Sequence, residues 1–331
     1  MKTLAICIPT YRRPAMLRRC VLSAIASAGP HPISVFIADD SVSDVNIEVL
    51  EELSATYPFV HWARNPANLG IDLNIQRVVD MSDCDHAWLI GEDDQFLPAA
   101  VARMFELIQR HSRAFIFSNY QYVSDDHSRV LGVALPQAVE GVCPADGFIA
   151  NSLWAVGFIG SCVVEREAWH ATTAHPYHGT YFTHVGRILD LLAREPTLYV
   201  SMRPAVANRA QGDDTFTWKK DSFGVFLGFE RMCQLGAQRH PALRPVIERA
   251  ADTYRRKFAY FSIKTTFRLR SEGAFDLRQF RVHLARCRIE PWRKAWLLGL
   301  ALMPRALLKP LARAYVAHLE RRRRLGAAGS N

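Results

Sequence analysis

Four short polar runs in the first hundred residues carry side chains able to hold a nucleotide and a metal ion. They are Pro9-Thr10-Tyr11-Arg12-Arg13-Pro14, Asp39-Asp40-Ser41, Arg64-Asn65-Pro66-Ala67-Asn68-Leu69-Gly70 and Gly91-Glu92-Asp93-Asp94. The last is the sharpest. Consecutive carboxylates repel one another unless a cation or hydrogen-bond donors neutralise them. Their hard oxygens suit Mg²⁺ or Mn²⁺, which take one or two carboxylates plus substrate phosphates. In isolation, the run also fits a solvated acidic turn with Asp94 near the cap of a helix beginning at Pro98. Asp39 and Asp40 could accept from a base N–H or ribose hydroxyls, or turn the chain ahead of a helix capped by Ser41 or Asp44. Asn68-Leu69-Gly70 is either a nucleotide-facing loop, in company with Arg64, Asn65 and Asn74, or a turn with a cap.

Each run follows a short β-rich segment: Leu4–Ile8, Ile33–Ala38, Phe59–Ala63 and His86–Ile90, with a further one at Ala114–Phe117. Helix-like stretches lie between them; in the first, Leu17, Cys20, Val21, Ala24, Ile25 and Ala28 mark one apolar face. This alternation predicts βαβ units and a mostly parallel sheet. In such a sheet ligands bind beyond the carboxyl ends of the strands, which is where all four runs stand. Beyond residue 125 the pattern is looser. Gly141, Pro144 and Gly147 punctuate a loop, Gly157–Val164 reads as a strand and Arg166–Thr172 as a short helix. His175–Thr183 reads as a loop feeding a helix over His184–Arg194, and Asp221–Arg270 is largely helical.

In order and spacing, IPTYRRP, ADDSVSD, NPANLG and the EDD triplet resemble the GT-A glycosyltransferases of family 2, over roughly residues 4–98. NLGIDLNIQ and WLIGEDD are similar to O-antigen deoxyhexosyltransferases of the abequosyltransferase type. The resemblance implies an α/β GT-A fold, Rossmann-like, with a mostly parallel sheet flanked by helices and a helical, basic C-terminal extension. It further implies inverting transfer of a sugar from a nucleoside-diphosphate donor to a saccharide hydroxyl with Mn²⁺ or Mg²⁺. Pro9, Thr10 and Tyr11 match the loop that cradles the nucleoside, with Arg13 beside them, and Asp39 or Asp40 the acid that contacts the base. Asn68 and Gly70 match the next nucleotide loop, Glu92 and Asp93 the ribose- and phosphate-side positions, and Asp94 the metal-ligating aspartate. Many members carry an acid at the start of an acceptor-side helix, where this chain has Gly179-Thr180-Tyr181-Phe182-Thr183-His184-Val185. His184, with an ordinary pKa near 6.5, could be the substitute base or simply a polar histidine at a helix start; Asp146 and Asp190 are weaker candidates. Arg209, in Asn208-Arg209-Ala210-Gln211-Gly212-Asp213-Asp214 ahead of Trp218, is a phosphate clamp or one half of a structural Arg–Asp pair.

With 331 residues, 49% hydrophobic and 22% charged, the chain is neither disordered, collagen-like nor a disulfide-stapled miniprotein. Its seven cysteines form no CxxC pair, which points to reduced, packed thiols in the cytoplasm. No signal peptide is expected at Leu4–Ile8, and the longest apolar run, Trp296–Met303, has eight residues, too short to span a bilayer. The net charge of +9 is concentrated in residues 291–325, with nine Lys/Arg against one acid. There Trp292, Trp296, Leu297, Leu298, Leu300 and Leu302, then Leu311, Tyr315 and Leu319 ahead of Arg321–Arg324, predict docking on an anionic membrane surface, at the inner face of the cell membrane. The acceptor would then be a lipid-linked saccharide. The expected divisions are 1–225 (catalytic, with halves 1–125 for the nucleotide sugar and 126–225 for the acceptor), 226–290 (helical) and 291–331 (tail). No GxGxxG or GxxxxGK[ST] supports a dehydrogenase or P-loop ATPase, and no nucleic-acid partner is expected. The rival readings are a nucleotidyltransferase and a catalytically inactive, membrane-associated assembly protein.

Overall fold

The structure is a computed structural model of the chain and describes residues 1–137, 139–209, 221–285, 287, 289–308 and 310. The chain divides into two compact units, one from 1–215 with 228–254 and the other from 216–227 with 255–331.

The larger unit holds, among its described residues, one ten-stranded sheet. Its strands are β1 (Leu4–Thr10), β2 (Ser34–Asp39), β3 (Val60–Arg64), β4 (His86–Leu89), β5 (Gln95–Phe96), β6 (Phe115–Val123), β7 (Val130–Val133), β8 (Gly141–Pro144), β9 (Cys162–Glu165) and β10 (Thr197–Arg209). The order is β3-β2-β1-β4-β9-β6-β10-β5, with β7 on β6 and β8 on β10. The run β3-β2-β1-β4 is parallel throughout, as the alternation requires, and β6 pairs parallel with β10. β9 enters antiparallel between β4 and β6 and joins the two parts. All seven residues of β1 are buried, the signature of an interior strand covered on both faces.

Helices α1 (Pro14–Ala28), α2 (Ile47–Thr56), α3 (Ile71–Asp80) and α4 (Ala100–Arg110) are the crossovers. α1 takes Pro14 in its first turn and buries Leu17, Cys20, Val21, Ala24 and Ala28, nearly the whole expected stripe. The second half adds α5 (Ala145–Val156), α6 (Arg166–His170) and α7 (Thr183–Arg194), and further along come α8 (Ser222–Arg239) and α9 (Arg244–Phe258). Two expectations change here. The stretch read as a loop through Gly147 is α5, because Pro144 takes the N-cap position and the helix tolerates one interior glycine. The strand expected over 157–164 is confined to Cys162–Glu165, preceded by a 3₁₀ turn at Ile159–Ser161.

The expected boundary at 225 is also displaced. Residues 228–254 belong with the sheet because Phe229 stacks on Tyr254 at 4.0 Å and meets Phe182 edge-on at 5.2 Å. A Cβ at position 228 would run into the Thr180 carbonyl, so Gly228 permits that approach. The smaller unit contains α10 (Ile263–Glu272), α11 (Leu277–Gln279) running into a π-turn at Phe280–Leu284, and α12 (Pro291–Leu302). α12 therefore belongs with the helices from 263 onward rather than forming a separate tail. No described helix is long and apolar enough to cross a membrane.

Candidate functional site

The loops after β1 and β4 are fastened to each other by one carboxylate. Glu92 Oε2 accepts from the Thr10 hydroxyl and from the Tyr11 N–H (2.7 Å), while Oε1 lies 3.7 Å from Arg13 Nε. Arg13 Nη1 donates to Asp93 Oδ2 at 3.0 Å. Arg12 adopts a left-handed backbone (φ +59°), a conformation a non-glycine residue holds only when its surroundings fix it, and its N–H reaches Ser41 Oγ at 2.8 Å. Pro9, Thr10, Tyr11, Arg13, Glu92 and Asp93 thus occupy one stretch of rim.

Asp94 is buried beside them. Its Oδ1 accepts from the Arg209 N–H (3.1 Å) and Asn208 Nδ2 (3.3 Å), at the end of β10; no described residue donates to Oδ2. Gly91 leaves room beneath the cluster: a Cβ there would stand 2.9 Å from Asp94 Oδ2 and 3.1 Å from Asp93 Oδ1 and would push the carboxylates aside. Burial raises the pKa of all three carboxyls, Glu92 to about 8. The Asp93 charge raises Asp94 further, whereas Arg13 pulls Asp93 back. Among the described residues no group of three or more His, Cys, Asp or Glu is arranged to hold a metal by itself. An under-donated aspartate oxygen in a like-charged, buried cluster fits a divalent cation that completes its shell with phosphate oxygens.

The second rim loop is built differently. Asp39 Oδ1 accepts from Ser41 N–H (3.1 Å) and Asn46 Nδ2 (2.9 Å), and Oδ2 faces Arg64 Nε at 3.4 Å. Asp40 Oδ1 accepts from Asn65 Nδ2 (3.0 Å) and the Leu69 N–H (2.7 Å), and Oδ2 from the Gly70 N–H (2.9 Å). Asn68 Oδ1 also accepts from Gly70 N–H, and Gly70 itself needs φ +77°. Asn74 Oδ1 accepts from Asn65 Nδ2, and Asn74 Nδ2 donates to the Ala38 carbonyl, tying α3 to the same loop. Asp40 is accordingly the clamp of the 65–70 loop, and Asn46, which the sequence reading did not single out, is the clamp of Asp39.

The remaining expected residues are more scattered. The Arg209 guanidinium pairs with Asp125 and approaches Met16 Sδ at 3.3 Å, so the Arg–Asp pair is present while its backbone anchors Asp94. Gln211, Gly212, Asp213, Asp214 and Trp218 lie outside the described residues. His184 stands in the first turn of α7 and is 1% exposed. Nε2 faces the Val156 carbonyl at 3.1 Å, which fixes the proton on Nε2; Nδ1 is buried without a partner. Burial lowers its pKa to about 4. This is the setting of a neutral core histidine and departs from the expected acceptor-side base, which must reach a substrate hydroxyl. Asp190 is likewise occupied, accepting from the Tyr177 hydroxyl (2.7 Å), His240 Nε2 (2.6 Å) and Arg239. Asp146 is exposed in the first turn of α5.

The acid near α7 that motif reading missed is Asp72, in the first turn of α3. Its carboxylate accepts from the N–H groups of Gly179 (2.9 Å), Tyr181 (3.1 Å) and Thr183 (3.2 Å), and so caps α7 from another element. Gly179 and Tyr181 both take positive φ in this loop (+77° and +66°). The first turn of α3 therefore holds the 65–70 loop through Asn74 and the 179–183 loop through Asp72.

A parallel β3-β2-β1-β4 half with an acidic rim after β4, extended by a mixed half, is the GT-A class of α/β fold. Residues 5–134 match the family described as Glycosyl transferase family 2. Abequosyltransferase RfbV of Salmonella typhimurium is 23% identical over 248 residues, covering 68% of this chain and 72% of that protein. Among solved structures, S. aureus TarS 1–349 superposes with a TM-score of 0.58 at 8% identity, over 94% of this chain and 91% of that one. Mannosyltransferase PcManGT from Pyrobaculum calidifontis, in complex with GDP-Man and Mn²⁺, gives 0.53 at 10% identity over 94% and 86%.

Proposed function

We propose that the protein transfers a sugar, by inverting displacement, from a nucleoside-diphosphate donor to a hydroxyl of a lipid-linked saccharide in surface-polysaccharide assembly, at the inner face of the membrane. One observation carries the reading: Thr10, Tyr11, Arg13, the Asn208 amide and the Arg209 N–H converge on the buried, under-donated carboxylate cluster of Glu92, Asp93 and Asp94. The family 2 match over this rim supports it, as do relatives that bind UDP, UDP-GlcNAc, or GDP-Man with Mn²⁺. The similarity to an abequosyltransferase favours a deoxyhexosyl donor and an O-antigen type of acceptor.

Asp94, with Asp93 beside it, would hold Mn²⁺ or Mg²⁺, which when bound supplies Lewis-acid stabilisation of the departing diphosphate. Arg13 offsets the charge on Asp93 and Glu92, and the Thr10–Glu92–Tyr11 bonds fix the loop that cradles the nucleoside. Pro9 lies near the end of β1, just ahead of that loop and in register with Ala38, and Asp39, Asp40, Asn68 and Gly70 shape the neighbouring wall for the base and ribose. Arg209 stands at the phosphate side. A thermal-shift panel of UDP, GDP, CDP and dTDP with and without Mn²⁺ tests the proposal, because a ligand at a hundred times its Kd adds about 2.7 kcal/mol of stability. One diphosphate should raise the melting temperature, and only with the metal present. No response to any of the four would overturn the reading.

A further inference from the structure

We infer that the smaller unit docks on an anionic lipid bilayer through the outward face of α12, which supplies the surface for the membrane location proposed above and does not depend on the sugar-transfer chemistry. α12 packs into its own unit by Leu297, Leu300 and Ala301, which are buried. Of the residues expected to form a lipid-facing set, Leu297 and Leu300 therefore point inward. The opposite side carries Pro291, Trp292, Ala295, Leu298, Gly299 and Leu302, all exposed. At 100° per residue these six fall within an arc of about 120°, and none is charged. Trp292 is 59% exposed, Leu298 37% and Leu302 61%. An amphipathic helix facing water would place its charges on this arc. Here the two cations of the helix are turned aside, Arg293 onto Glu290 (3.3 Å) and over the Trp292 ring, and Lys294 onto the Ala285 carbonyl (2.9 Å). The apolar strip continues past the helix end through exposed Met303 and Leu307.

The charge distribution identifies what covers it. Residues 255–331 hold nineteen Lys/Arg against four Asp/Glu, whereas residues 1–254 hold twenty-two against twenty-eight. A strongly basic segment bearing an uncharged apolar strip with a tryptophan at its edge suits the headgroup boundary of an anionic leaflet, where cations add attraction and the strip enters the acyl margin. A second copy would bring the same positive charge against itself, and a single-stranded RNA would require cations and stacking rings on the strip itself.

The test is flotation of the full chain with vesicles of phosphatidylcholine alone or with one third phosphatidylglycerol, at low and high salt. The parent should float with the anionic vesicles, less at high salt. Leu298→Glu combined with Leu302→Glu should lower the bound fraction at least about tenfold, since two charges on the strip oppose insertion. Both positions are exposed, so the variant should keep the parent's circular dichroism melt and donor hydrolysis. Absence of flotation by the parent, equal flotation of parent and variant, or equal binding to uncharged vesicles would overturn the inference. An oligomer in light scattering that only the variant loses, or RNA binding without vesicle binding, would reassign the face and overturn it too.

Discussion

Two acidic pairs follow strands on either side of β1 in the parallel sheet and are treated in opposite ways. Asp39-Asp40 is surrounded by donors: an arginine, two asparagine amides and three backbone N–H groups account for all four carboxylate oxygens. Asp93-Asp94 receives one arginine, one amide, the Arg209 N–H and the Asp93 N–H from the described residues, none of which donates to Asp94 Oδ2. The residue types are the same, and both pairs follow short apolar runs. What separates the loop clamp from the proposed cation site is the number of donors that the tertiary structure aims at each oxygen.

The largest expected effect comes from removing the under-donated charge. Asp94→Asn should lower sugar transfer by at least about 10²-fold, the scale of losing one electrostatic stabiliser of a departing anion. It should also abolish the Mn²⁺-dependent thermal shift while the metal-free melting temperature stays level or rises, because a like charge leaves the cluster. A variant that retains the parent's metal response would erase the contrast between the two pairs.

Asp40→Ala should do the reverse. It strands the Leu69 N–H and leaves the Gly70 N–H and the Asn65 amide to Asn68 and Asn74 alone, at a cost of about 2 kcal/mol, and leaves the fractional gain from Mn²⁺ intact. Urea unfolding with and without Mn²⁺ measures both quantities. Loss of the metal response with little loss of stability would make Asp40 a ligand-facing acid instead of a clamp.

The rim loops and β1–β4 were legible because each apolar run is short, is bounded by Pro, Gly, Asn or Asp, and alternates with a helical stretch. β10 was not. Its residues TLYVSMRPAVANR include Arg203 and Pro204, and its register on β6 breaks between Ser201 and Val206, so no alternation survives to be read. The partners of Asp94 come from that strand, 114 and 115 residues away, and Asp72 reaches its three N–H groups across 107 to 111 residues. Such contacts leave no local trace, whereas Asn46, seven residues from Asp39, lay in plain view without a motif to mark it.

The contrast also predicts a pH dependence. Glu92 is raised from 4.5 to about 8 by burial, so its contribution to stability is complete below about 4.5 and is lost as pH rises through about 8; Asp93 and Asp94 shift in the same direction. The metal-free protein should therefore lose melting temperature between pH 5 and 8, and Mn²⁺ should restore more of it at the alkaline end, where it no longer competes with protons. Glu92→Gln should flatten that slope by a modest amount. A parent whose melting temperature climbs through this window would place the cluster among the fully donated kind.

The smallest effect is expected at His184, which tests whether a buried, neutral ring belongs with the clamps or with the chemistry. Its pKa is lowered from 6.5 to about 4 by burial, so its contribution to stability is present above about 6.5 and is lost as pH falls through about 4. Gln places an amide N–H near the position of Nε2 and can keep the bond to the Val156 carbonyl, 3.1 Å from the ring nitrogen. His184→Gln should leave turnover within about threefold and flatten the acid limb of the melting curve, with His86, lowered to about 4 as well, supplying the slope that remains. Loss of a general base would instead reduce turnover by about 10²–10⁴-fold at unchanged stability. That outcome would require the ring to be reached from the acceptor side, by movement of the 179–183 loop that Asp72 holds, and Asp72→Asn would then alter the acceptor KM more than the donor KM.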